Sequence, residues 1–152
     1  MSRPVRAVAA LAACLALAGC SALQGRAPTP SPESFAGVLG KLAQLGIHAT
    51  TWTSGDAGCD DATLHPTAIR FEVQGLDQPT PVLLRIYTFR NRETWERRVP
   101  DVESCLANWA TDPETFEVLE VSPYVVAGQG PWPPQFEAAM REAMTAAAGN
   151  GG

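Results

Sequence analysis

Residues 69–74 read Ile-Arg-Phe-Glu-Val-Gln, with apolar and polar side chains in strict alternation. A period of two is the pleat of a half-buried strand, with Ile69, Phe71 and Val73 on one face and Arg70, Glu72 and Gln74 on the other. Residues 75–81 contain Gly75, Pro79 and Pro81 and predict a turn. Residues 82–89 then form a second strand, more apolar and therefore more central. Together they predict an antiparallel hairpin, and a hairpin with an apolar face needs other elements to cover it.

The rest of the chain supplies candidates for that cover. Ser31-Pro32-Glu33 reads as an N-cap, a proline in the first turn and an acid near the positive helix end. Phe35, Val38, Leu39, Leu42 and Leu45 follow on one helical face, and Gly46 is the expected stop. Residues 47–53 are rich in β-branched side chains and predict a strand; residues 54–66 form a polar loop that carries Cys59. Trp95, Val99, Val102, Leu106 and Trp109 share one face of a helix, or of two helices meeting at Pro100. Residues 116–121 and 124–127 predict two strands around Ser122-Pro123. Pro133 and Pro134 open a last helix with Phe136, Ala139, Met140, Ala143 and Met144 turned inward. Grouped strands separated by helices define an α+β class: a small antiparallel sheet with helices packed mainly on one face.

The N-terminus concerns address rather than fold. Arg3 and Arg6 precede an apolar run over residues 7–18, interrupted only by Cys14, and no acid accompanies them. A basic start and a short apolar stretch are the layout of a secretory signal. The run is too short for a membrane-spanning helix, which needs about 20 apolar residues. Directly after it comes Leu17-Ala18-Gly19-Cys20, which resembles the lipobox of bacterial lipoproteins. The resemblance implies that residues 1–19 are removed and that the Cys20 thiol carries a diacylglyceryl group. Two or three acyl chains, at about 0.8 kcal/mol per buried methylene, hold a domain on a membrane stably. The expected location is the cell envelope, outside the cytoplasm, with a membrane as the first partner. Residues 20–33 then form a tether in which Pro28, Pro30 and Pro32 favour extended polyproline II. Residues 34–148 form the expected domain, and residues 149–152 a disordered tail.

Without residues 1–19 the chain keeps 9 basic and 16 acidic side chains, a net charge of −7. Such a chain has no electrostatic case for nucleic acid or for anionic headgroups. With Cys14 removed and Cys20 acylated, Cys59 and Cys105 remain as an even pair in an oxidising compartment, and a disulfide between them is expected. It closes a loop of about 46 residues and contributes roughly 4 kcal/mol on the chain-entropy account.

No residue pattern specifies a reaction, a cofactor or a metal. Asp56, Asp60, Asp61 and His65 cluster in the polar loop, but Gly58, Asp61 and Thr67 fail the third, sixth and twelfth positions of a calcium loop, so a solvated turn is the better reading. Arg85 and Tyr87 share a strand face, with Arg70 across the hairpin; such a face suits a carboxylate or phosphate, though ordinary surface pairing explains the charge as well. Trp132, held between Pro131 and Pro133, fits either an exposed anchor for a partner protein or a lid on the core. Trp52, Trp95 and Trp109 are expected in the core. His48 and His65 lie in no catalytic motif. The expected role is therefore non-catalytic: a protein-interaction module, alternatively a small-ligand-binding lipoprotein or a small envelope hydrolase with acids gathered in a cleft.

Overall fold

A computed structural model describes residues 33–149. The expected signal segment, Cys20, most of the expected tether, the Ser31-Pro32 part of the expected cap and the last three residues lie outside the described residues. The elements run α1 (Phe35–Gln44), β1 (Ile47–Ser54), a 3-10 turn (His65–Thr67), β2 (Ala68–Gly75), β3 (Gln78–Thr88), α2 (Arg92–Leu106), β4 (Phe116–Val121), β5 (Tyr124–Gln129) and α3 (Pro134–Ala148). The five strands form one antiparallel sheet in the order β1-β2-β3-β5-β4. The expected α+β class holds, with the hairpin at its centre.

Register assigns the two faces. Leu84 and Ile86 of β3, Tyr124 and Val126 of β5, and Phe71 and Val73 of β2 are buried beneath α1 and α3, together with Val38, Leu42, Phe136, Met140 and Met144. Their neighbours of opposite parity, Tyr87, Val125, Ala127 and Ala68, face α2 and the 55–67 loop, where Leu64, Val102, Cys105 and Leu106 complete a second cluster. Two helices thus occupy one face, and the third helix covers the other with the disulfide loop.

Boundaries moved where tertiary contacts outweighed local signals. Helix α1 starts at Phe35 with Ser34 as its N-cap, three residues later than the expected cap. The chain before it is instead fixed by backbone, the Glu33 N–H donating to Ala147 O at 2.8 Å. Strand β3 begins at Gln78, inside the expected turn, and runs through Pro79 and Pro81. Both prolines are exposed, so their missing N–H groups leave no buried acceptor unmet. Pro100 does not break α2, which runs through it; its own position is exposed, where the lost backbone bond costs least. The start of α3 has no side-chain cap of its own. Asp77, in the tight β2–β3 connection, accepts hydrogen bonds from Gln135 N at 2.9 Å and Phe136 N at 2.8 Å. A carboxylate from 58 residues away thus serves as the anion that a helix N-terminus favours.

Candidate functional site

The face expected to grip an anion is built around Arg85, and its charge is already spent. Arg70 and Arg85 are direct cross-strand partners, an arrangement that is repulsive unless an anion lies between them. Asp56, at the start of the 55–67 loop, is that anion. Its Oδ1 accepts from Arg85 Nε at 3.2 Å and Nη2 at 3.0 Å, while Oδ2 lies 3.9 Å from Arg70 Nε. The Arg85 guanidinium also stacks 4.4 Å from the Trp109 ring centroid, and its side chain is only 11% exposed. Gly58 sits beneath it: a Cβ there would stand 2.8 Å from Arg85 Nε, at a backbone φ of +79° that disfavours side chains anyway. Arg85 is therefore a structural cation, and Asp56, held by it and by Gly58 N at 3.1 Å, is not a free metal ligand.

Tyr87 is buried directly behind this pair. Its hydroxyl donates to Ala57 O at 2.6 Å, and burial pushes its phenol above the ordinary value, against the lowering influence of Trp109 and Arg85. Ala57 O also lies 3.1 Å from Cys105 Sγ. The Cys59–Cys105 disulfide is formed, with Cα atoms 5.4 Å apart, as expected. It ties the loop to the inner face of α2.

The remaining sequence candidates separate clearly. Trp132 is the lid rather than the anchor: it is buried, packs edge-on to Phe136 at 6.0 Å between centroids, and lies over Gly128. Trp95 and Trp109 are half-buried against the second cluster, and Trp95 Nε1 donates to Tyr124 O at 3.2 Å. Trp52 contradicts the expectation for it. At 58% exposure it lies outside the core, because β1 is an edge strand whose outer half is covered by no helix. His65 is exposed, its Nε2 3.0 Å from Cys59 O, and His48 is exposed on β1.

What sequence reasoning did not assemble is a cleft of about 440 Å³ beside the disulfide, where Asp60 and Asp61 of the loop meet Asp101, Ser104 and Asn108 of α2. Arg98 bridges its two walls. It lies 3.1 Å from Asp101 and 4.0 Å from Asp61, and donates to Thr63 Oγ1 at 2.5 Å. Asp61 is held as an anion: hydrogen bonds from the Thr63 hydroxyl and N–H, then Arg98, lower its pKa below the usual carboxylate value. The local signal was Asp61-Ala62-Thr63, an aspartate bonding two residues ahead, but no spacing rule reports its apposition to α2, where Arg98 and the disulfide meet the loop. Among the described residues no three His, Cys, Asp or Glu side chains converge as metal ligands, and no helix is long and apolar enough to cross a membrane. No family model, curated protein or solved structure matches the chain.

Proposed function

We propose that this protein is a bacterial envelope lipoprotein, anchored through acylated Cys20, whose domain is a non-catalytic protein-interaction module. The observation that carries the reading is a Cys59–Cys105 disulfide in a chain that opens with Leu17-Ala18-Gly19-Cys20 behind a secretory signal. A structural disulfide belongs to an oxidising compartment, and the lipobox supplies the anchor there.

With Arg85 neutralised and Trp132 buried, the surface that best suits a partner is the acidic cleft beside the disulfide. Its three carboxylates, Asp60, Asp61 and Asp101, outnumber the one arginine, Arg98, that Asp61 and Asp101 share, and the surplus negative charge complements a basic segment of another envelope protein. The hydrolase alternative gains a cleft with carboxylates in it, but it needs a proton donor with a raised pKa. Asp61 is shifted the other way. The ligand-binding alternative loses the free guanidinium on which it rested.

Two measurements test this reading. Cell fractionation and intact mass of the wild-type chain should show a membrane-bound, acylated species starting at Cys20, and Cys20→Ser should move the protein to the soluble fraction. A photo-crosslinker at Asn108, used in intact cells, should trap a protein partner, and Asp61→Lys with Asp101→Lys should abolish the adduct. A soluble, unacylated wild-type chain overturns the anchor; an adduct unchanged by charge reversal overturns the cleft.

A further inference from the structure

The cleft beside the disulfide is also an approach to the disulfide itself. Cys59 and Cys105 both line it, and the two are not equally reachable. Cys59 is half-buried on the loop wall, whereas Cys105 is only 2% exposed on α2. A thiolate entering the cleft therefore attacks Cys59 Sγ, and Cys105 Sγ is the sulfur that leaves. The leaving sulfur has a place to put its proton: Ala57 O, 3.1 Å away, accepts from a Cys105 S–H.

Charge decides which thiolates arrive. Asp60, Asp61 and Asp101 line the cleft against Arg98, which Asp61 and Asp101 share. Nearby, Arg85 is paired with Asp56, and His65 Nε2 lies 3.0 Å from Cys59 O. A surplus of carboxylate remains, with Asp61 held ionised by Thr63 and Arg98. Carboxylates repel an anionic thiol reagent over about 10 Å at moderate salt. A protein thiol, by contrast, becomes a ready nucleophile among Lys, Arg or protonated His side chains, or at a helix N-terminus. Those positive surroundings are drawn to the cleft by the same charge that turns a lone anion away.

We propose that the cleft is the entry to the Cys59–Cys105 bond, and that Cys59 Sγ undergoes exchange with thiolates set among positive charge, such as those of a basic dithiol protein. The incoming thiolate forms an S–S bond to Cys59 Sγ. The Cys59–Cys105 bond breaks, and its electron pair stays on Cys105 Sγ, which takes a proton from water. The second thiolate of the dithiol then attacks the first, releasing Cys59 as a thiolate and leaving the dithiol oxidised. This exchange gives the basic partner of the cleft a chemistry, and in that respect it rests on the partner reading; its test needs neither partner nor anchor.

Two small thiols are compared on the full oxidised chain, any free thiol being alkylated first: cysteamine, with an ammonium group, and mercaptopropionate, with a carboxylate. Each rate is divided by that of the same thiol with uncharged hydroxyethyl disulfide, which cancels intrinsic nucleophilicity. At low salt the cysteamine-to-mercaptopropionate ratio should be about ten, and acid-quenched adducts should map to Cys59. Asp61→Asn with Asp101→Asn should bring the ratio close to one. Glu137→Gln with Glu142→Gln, which removes two acids from α3 on the opposite sheet face, should leave it unchanged. Looser packing of the loop speeds both reagents alike, so the ratio reports charge rather than stability. A wild-type ratio near one, a ratio that the cleft substitutions do not move or the α3 pair also abolishes, or an adduct on Cys105 overturns the proposal. None of these outcomes alters the Asn108 crosslink, so the exchange and the partner reading fail separately.

Discussion

The two faces of the sheet each bury one of the chain's two tyrosines, and comparing the two shows how differently the faces are held. Tyr124 lies on the α1–α3 face, where its hydroxyl donates to Glu33 O at 2.7 Å and lies 3.2 Å from Ala147 O. There it joins the start of one helix to the end of another above a broad apolar cluster. Tyr87 lies on the α2 face, where its hydroxyl meets Ala57 O, a loop carbonyl, above a smaller cluster. Apolar area does the work on the first face. On the second it is supplemented by a disulfide, an Arg85–Asp56 ion pair and an arginine stacked on Trp109. A loop with only Ala57 and Leu64 fully buried cannot cover a sheet by hydrophobic burial alone, so covalent and polar ties complete it.

The sharpest way to break this contrast is to damage each face separately. Phe136→Ala, in the helical face, should cost about 3–5 kcal/mol, and urea midpoints should show the same loss with or without reductant. Cys59→Ala with Cys105→Ala should cost roughly 4 kcal/mol, and reduction of the wild type should reproduce it. If reductant also moved the Phe136→Ala increment, the two faces would not be separable. Asp56→Ala leaves Arg85 without its carboxylate and opposite Arg70; a loss of about 2 kcal/mol is expected, partly recovered in high salt as the guanidiniums are screened.

A smaller effect concerns pH. Burial raises both tyrosines, Tyr87 in direction and Tyr124 to about 12. The unfolded phenols ionise near 10. Between pH 10 and pH 12 the folded state therefore holds protons that the unfolded state releases, and stability falls as pH rises through that window. Below pH 10 the contribution is complete. Tyr124→Phe should flatten the alkaline limb of a stability–pH curve, and absorbance titration should place both phenols above the free value. The least effect is expected for Trp52→Ala, within about 0.5 kcal/mol; a larger loss would mean that β1 is packed more firmly than its exposure indicates.

Much of the fold was legible because its signals are local. Strict alternation at Ile69, Phe71 and Val73 marked β2, and the helical spacing of Phe136, Met140 and Met144 marked α3. The site was legible only in part. Arg85 and Tyr87 were rightly placed on one strand face, but Asp56 reaches Arg85 from 29 residues away, and no spacing rule reports that encounter. Asp77 capping α3 is invisible for the same reason. Trp52 misled because β-branched neighbours describe a strand, not whether a helix covers it, and α1 leaves the outer half of β1 bare. Trp132 between prolines was equally compatible with exposure and burial, until Gly128 beneath it made room for the ring.

Native-state hydrogen exchange on oxidised and reduced protein tests most directly whether the two faces are held by different means. Reduction should strip protection from α2 and residues 55–67 while the amides of α1 and α3 keep theirs. A uniform loss across all three helices, or none in α2, would contradict it.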